Sequence, residues 1–271
     1  MIDLKPFTNP KLTPFTLDTF VVRKSILQSV ERAAQLFSGT VLDVGCGHMP
    51  YREIILSNPA VTKYIGLDLK RNDSYQNKPD LTWDGKTIPL QEGAVRSVMA
   101  TELFEHCPDP ELVMKEMYRV LCPGGVLFFT VPFLWPLHDV PYDQYRYTPF
   151  ALERHLANAG FHKIQLQPMG GWEESMAQMI GLYARRRPMY ASARFLLSLC
   201  SFPLIYVLSM SGRKQRVHFD SPEDVLEKFP ESSMITGVCG IAYRPQTGMQ
   251  SSSGSEFTIH NINSARTSDL C

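Results

Sequence analysis

Apolar positions along the chain set out a repeating order of elements. Between Asp18 and Phe37, the residues Phe20, Ile26, Leu27, Val30, Ala34 and Phe37 recur near helical spacing, and Ser38-Gly39 closes the run, predicting a covering helix. Thr40 to Val44 is a short β-rich run ending in a glycine loop, followed by a compact helical stretch from Tyr51 to Leu56. Lys63 to Leu67 predicts a second strand ending in Asp68, Leu81 to Trp83 a third and Val95 to Thr101 a fourth.

From Asp109 to Leu121 the helical pattern is clearer. Asp109 can cap, Pro110 suits the first position, Val113, Met117, Val120 and Leu121 share a face, and Pro123-Gly124-Gly125 is expected to stop the run. Val126 to Val131 is continuously apolar, as a central strand buried on both faces requires. Thr148-Pro149 opens another helix with Leu152, Leu156 and Ala159 on one side and Gly160 beyond its end, and Lys163 to Gln167 predicts a sixth strand. Residues 170 to 233 break the alternation as a helical insertion, before Ile235 to Tyr243 returns to strand character. The fold class expected is therefore α/β: a doubly wound, mostly parallel seven-stranded sheet, with ligands beyond the carboxyl ends of its strands. Residues 1–245 are read as one domain including the insertion, and 246–271, rich in Ser, Thr, Asn and Gly, as a disordered tail.

Composition narrows this picture. A chain of 271 residues can bury one sizeable core, and 27 acidic against 27 basic side chains give no field to draw in nucleic acid, so no nucleic-acid partner is expected. The six cysteines form no Cys-x-x-Cys pair and have no histidine at metal-ligand spacing, suggesting neither a metal nor a disulfide framework. The first residues lack a secretory signal, and a reducing, cytoplasmic setting is the expectation.

Candidate chemistry starts at Leu42-Asp43-Val44-Gly45-Cys46-Gly47, where two glycines let the backbone turn sharply and approach a ligand. A dinucleotide fingerprint needs a third glycine at the helix start, whereas His48, Met49 and Pro50 intervene here, which disfavours an oxidoreductase. Asp68, about 20 residues on, is placed to accept from both hydroxyls of a ribose; as an isolated residue it would read as a solvated loop aspartate.

These residues resemble class I S-adenosylmethionine-dependent methyltransferases, in the group related to ubiquinone and menaquinone methyltransferases, over roughly residues 35 to 168. Val41 to Gly47 is similar to the family's first motif, Tyr64 to Asp68 to its second, and Arg119 to Gly125 to the segment before its fifth strand. The resemblance implies S-adenosyl-L-methionine as methyl donor. It implies that Asp43, Gly45, Cys46 and Gly47 hold the methionine part, Asp68 with Leu69 the ribose, and Asp84 and Gly85 the adenine, while Thr101 and Glu102 close over the cofactor. Lys70 to Pro79 departs from the family in being polar and loop-like, so the usual helix after the second strand is expected to be short or irregular.

The acceptor side of such a fold lies beyond the fifth strand, where Pro132 to Thr148 combines aromatics with His138, Asp139, Asp143 and Arg146. This loop resembles that of bacterial methyltransferases encoded among polysaccharide and glycolipid genes. For a hydroxyl acceptor, His138 would remove the proton and Asp143 or Asp139 would orient it. Two alternatives stand beside that reading: His138 and Arg146 merely bracing the loop, and His106 acting as the base.

The uncharged run Phe195 to Met210 is bracketed by Arg185-Arg186-Arg187 and Arg194 before it and by Arg213, Lys214 and Arg216 after it. It falls short of the roughly 20 apolar residues needed to span a bilayer and is interrupted by Pro203, so it reads as a helix pair over the sheet, a dimer contact, a lid, or a peripheral membrane contact. The function expected is methylation, with oxygen as the leading target atom, of a small-molecule, glycan or lipid-linked acceptor. The rivals are C-methylation of a quinone or other lipid, and cofactor binding without turnover.

Overall fold

The computed structural model describes residues 3–69, 78–211, 219 and 225–246. Its strands in chain order are β1 (Gly39–Val44), β2 (Val61–Leu69), β3 (Leu81–Trp83), β4 (Val95–Thr101), β5 (Leu121–Pro132), β6 (His162–Met169) and β7 (Gly237–Tyr243). They form one sheet in the order β3-β2-β1-β4-β5-β7-β6. Every pair is parallel except those made by β7, which runs antiparallel between β5 and β6. This is the expected doubly wound, mostly parallel sheet, with the last strand slotted inside its edge.

The helices are α1 (Lys5–Thr8), α2 (Phe20–Ala34), α3 (Arg52–Leu56), α4 (Pro110–Val120), α5 (Pro149–Asn158), α6 (Trp172–Arg186), α7 (Ala191–Ser211) and α8 (Val225–Lys228). Local chemistry sets where two of them begin. The Asp109 carboxylate accepts from the Leu112 amide at 3.0 Å ahead of α4, and the Thr148 hydroxyl accepts from the Ala151 amide at 3.3 Å ahead of α5. Each satisfies a first-turn donor that has no partner within the helix.

The alternation of side chains along β5 builds both cores. Leu127, Phe129 and Val131 pack with Val113 and Met117 of α4 and Leu152 and Leu156 of α5. Val126 and Phe128 pack on the other face with Ile26 and Val30 of α2. A third, smaller cluster joins Leu17 and Val21 to Ala177 and Ala184 of α6 and Ile205 of α7.

Two expectations are corrected. Pro123-Gly124-Gly125 does not stop α4; the helix ends at Val120, and the three residues lie inside β5. Leu121 is already extended, and Pro123 disfavours helical backbone at Cys122 just after it, so the helix cannot resume. The register against β4 then jumps from Leu121 to Val126, a bulge pinned by the Gly124 amide donating to the Arg244 carbonyl at 2.9 Å. Nor does Pro203 interrupt the apolar segment, since α7 runs through it for 21 residues. Its length and a mean hydropathy of 1.6 over an 18-residue window meet the requirement for crossing a membrane, by length and composition only. Most of Lys70 to Pro79, the basic residues after α7 and all of the tail beyond Gln246 lie outside the described residues.

Candidate active site

Because β2 and β4 flank β1 in parallel, the loops after all three open on one edge of the sheet, at the point where the strand order reverses. The glycine loop leaves β1 with Gly45 at φ +74° and Gly47 at φ +50°, a region L side chains rarely adopt. A methyl group on Gly45 would meet Leu103 Cδ1 at 2.8 Å, whereas one on Gly47 would meet no atom within 4 Å among the described residues beyond its chain neighbours. The loop is therefore pressed against the segment after β4 on one side and opens onto free space at Gly47.

Two carboxylates fix this loop. Asp68, half-buried at the end of β2, accepts from the Gly47 amide at 2.9 Å and, through its other oxygen, from the Leu69 amide at 2.7 Å. Asp43 is buried beneath, with Oδ2 accepting from the Tyr64 hydroxyl and Oδ1 without a partner. Burial pushes its carboxyl up to about 7. Leu69 is exposed and touches the position of a side chain at Gly85, so the ends of β2 and β3 form an apolar ledge. Asp84 is spent on its own turn, accepting from the Lys86 and Thr87 amides at 2.8 Å each, and these bonds hold its carboxyl below the usual range.

Beyond β4, Thr101 pairs in register with Thr130, and Glu102 turns sharply at φ +51°. The Glu102 amide donates to the Thr130 carbonyl at 3.0 Å, and its carboxylate accepts from the Thr130 hydroxyl at 2.8 Å. Burial pushes this carboxyl to about 7. Next comes Glu105, fully buried, with neither carboxylate oxygen hydrogen-bonded. Burial and the neighbouring Glu102 hold its carboxyl well above the ordinary range.

The loop after β5 supplies a hydrogen-bonded triad. Asp143 Oδ2 accepts from the His138 amide and lies 3.1 Å from His138 Nδ1. Both Asp143 oxygens also take the Arg146 guanidinium, at 2.6 and 2.8 Å. Arg146 reaches on to the carbonyls of Tyr145, Trp135 and Pro136, bracing the loop it closes. The hydrogen bonds from Arg146 hold the Asp143 carboxyl well below the usual carboxylate range, so Asp143 accepts and His138 Nδ1 is the donor between the two. The Asp143 side chain is 1% exposed and that of His138 30% exposed, so the ring reaches outward from a buried carboxylate. Asp139, the alternative partner, is exposed at a turn.

His106 packs edge-on to His138, with ring centroids 4.8 Å apart. Its Nδ1 faces the Tyr142 carbonyl at 3.3 Å, its Nε2 lies 3.8 Å from Glu105, and burial lowers its basicity. Donor atoms of Glu105, His106 and His138 all lie within 4.8 Å of one another, a set able to hold a metal ion that spacing along the chain does not disclose. The sequence reading names the glycine loop, Asp68, His138 and Asp143 but gives no part to Glu105, Tyr64 or Thr130. The sequence signal for Glu105 is its place one turn after Glu102, and nothing there reveals its burial.

Residues 42–129 match the family model described as "Methyltransferase domain". The Coxiella burnetii protein named ubiquinone biosynthesis O-methyltransferase is 30% identical over 112 residues, 38% of this chain and 48% of that protein. Its namesake from Cronobacter sakazakii is 32% identical over 111 residues, 37% of this chain and 45% of its own length. The chain thus spans about half the length of the curated relatives it matches. A solved SAM-dependent methyltransferase from Archaeoglobus fulgidus aligns with a TM-score of 0.49 at 15% identity, over 82% of this chain and 94% of that one. The sheet order and the strand-borne glycine loop are consistent with that domain match. Over residues 42–129 the chain is similar to methyltransferases, and the cofactor this similarity implies is S-adenosylmethionine.

The residues present fit that cofactor. The free space over Gly47, the unpartnered Oδ1 of Asp43 and the apolar ledge of Leu69 and Gly85 supply room, a polar contact and a wall in a row along one sheet edge.

Proposed function

We propose that the protein is an S-adenosylmethionine-dependent methyltransferase that methylates a hydroxyl of a small-molecule, glycan or lipid-linked acceptor. The observation that carries this reading is the His138–Asp143 pair, which fixes the tautomer with a free Nε2 on the loop beyond β5. When bound, the cofactor supplies an electrophilic methyl group on a sulfonium sulfur.

The chain's own residues then divide the work. The backbone of Gly45, Cys46 and Gly47, with Asp43, holds the methionine part. Asp68 keeps unused lone pairs for the ribose hydroxyls while tying the loop through Gly47. Leu69, Asp84 and Gly85 border the adenine, and Thr101 and Glu102 close the site. His138 Nε2 takes the proton of the acceptor hydroxyl, and the resulting imidazolium is stabilised by Asp143, itself held by Arg146. A hydroxyl acceptor is further supported by the O-methyltransferase names of the relatives.

The test is transfer of a labelled methyl group from the cofactor to a panel of sugars, glycolipids and quinols, with wild type and His138→Ala. Transfer to a hydroxyl that the variant slows while binding S-adenosylhomocysteine normally supports the assignment; equal turnover by both proteins sinks it.

A further inference from the structure

We infer that the outer face of α6 and α7 docks this protein onto the surface of an anionic lipid bilayer. Exposed apolar side chains run along both helices in register with their turns: Trp172, Met176, Met179 and Tyr183 on α6, and Leu196, Leu199, Val207 and Met210 on α7. The two helices pack against each other around the cluster that holds Ala184 and Ile205, and each stripe leaves that cluster for solvent. Met210 is 65% and Val207 59% exposed, in a helix of which 17% of the most apolar window is buried. A patch of this kind marks a surface that meets another apolar phase.

Charge selects the occupant. From Ser175 to Ser211 the sequence has no Asp or Glu but holds Arg185, Arg186, Arg187 and Arg194, in a chain otherwise balanced. Arg186 is paired with Asp18 at 2.6 Å, leaving three arginines at the α6–α7 junction without an acidic partner among the described residues. Arg187 lies over the exposed ring of Tyr183, an aromatic and cation together at the rim, as bilayer interfaces favour. Anionic headgroups meet such a collar, and the apolar stripes reach the acyl boundary with the helices lying in the plane. The packing of α7 on α6 keeps it with the domain.

The face adjoins the acceptor loop, because the Arg186 guanidinium lies 5.7 Å over the Trp135 ring and Trp135 shares its loop with His138. An acceptor carried in the membrane would therefore reach His138 from this side. That last step rests on the proposed methyl transfer; the docking does not.

Flotation of the whole chain with vesicles tests it, using phosphatidylcholine alone and phosphatidylcholine mixed with phosphatidylglycerol. Wild type is expected to float with the anionic vesicles, at least about tenfold more than with neutral ones, and to be released by alkaline carbonate. Arg185→Gln/Arg187→Gln/Arg194→Gln should weaken binding on the order of a hundredfold. Leu199→Glu/Val207→Glu should abolish it, with unchanged melting and S-adenosylhomocysteine binding showing that the chain is folded. No flotation, flotation that neither variant alters, or resistance to carbonate overturns the inference. So does a dimer that the double glutamate variant splits without any change in flotation. Flotation by a chain that binds no S-adenosylhomocysteine overturns the methyltransferase reading instead and leaves the docking intact.

Discussion

The carboxylate of Asp68 accepts the backbone amide of Gly47 at 2.9 Å, bridging 21 residues of sequence and tying the end of β2 to the loop that leaves β1. One side chain thus both shapes the loop and faces the place where the ribose is expected. Asp68→Asn keeps an acceptor for one of the two amides that Asp68 serves, Gly47 and Leu69, whereas Asp68→Ala removes both. Asn should unfold about 1 kcal/mol more easily than wild type and Ala about 2 kcal/mol more easily, by urea titration. Both should bind S-adenosylhomocysteine at least about tenfold more weakly, since the asparagine amide cannot accept from two hydroxyls. Equal affinities in all three proteins would remove Asp68 from the site.

Removing the His138 ring leaves the cofactor loop untouched. His138→Ala should therefore lower turnover by on the order of 10² to 10⁴ while the affinity for S-adenosylhomocysteine stays the same. Asp143→Asn keeps the shape but leaves Arg146 without its charge partner, and should cost roughly 2 kcal/mol of stability as well as turnover. A fall in cofactor affinity with His138→Ala would place that histidine on the wrong side of the site.

Glu105 is buried with no hydrogen bond to its carboxylate, and its proton is held well above the ordinary range. For an acid raised by folding, the stability is complete below its unfolded pKa, about 4.3, and is lost as pH rises through the folded value. Glu102 and Asp43, both near 7, add to the same alkaline loss. Glu105→Gln should therefore gain stability relative to wild type between pH 6 and 9, measured by chemical denaturation at each pH. A constant difference across that range would contradict the assignment.

Asp143 works in the opposite direction, because Arg146 lowers its pKa. Its contribution is present above the ordinary aspartate value near 3.9 and is lost as pH falls through that value towards the folded one. The acid limb of the stability curve below about pH 4 should flatten in Asp143→Asn. An unchanged limb would show that the triad adds nothing to stability.

Much of this arrangement was legible in the sequence because it depends on neighbours. Asp109 before Pro110 and Thr148 before Pro149 mark helix starts through their own backbones, and the glycine loop after an apolar run marks the turn that leaves β1. His138 and Asp143 are five residues apart, within reach of each other in any compact loop. What stayed hidden depends on partners far along the chain. The Tyr64 hydroxyl meets Asp43 only because β1 and β2 pair in register. Glu105 reads as a polar residue until the loop after β5 folds over it, its backbone carbonyl accepting from Gln144 and Tyr145. Pro203 looks like a helix breaker, yet α7 continues past it with Ile205 packed in the cluster it shares with α6. The slot that β7 takes between β5 and β6 is a choice of pairing that no local pattern encodes.

The central claim is that the space over Gly47 is the cofactor's seat. Calorimetric titration with S-adenosylhomocysteine of wild type and Gly47→Ala tests it most directly, because among the described residues beyond its chain neighbours a methyl group there meets no atom within 4 Å. At φ +50° the substitution should cost about 1 to 2 kcal/mol and leave the chain folded. Binding by wild type that the folded variant loses is the result predicted. Wild type that binds nothing, or a variant that binds as well as wild type, would contradict the account.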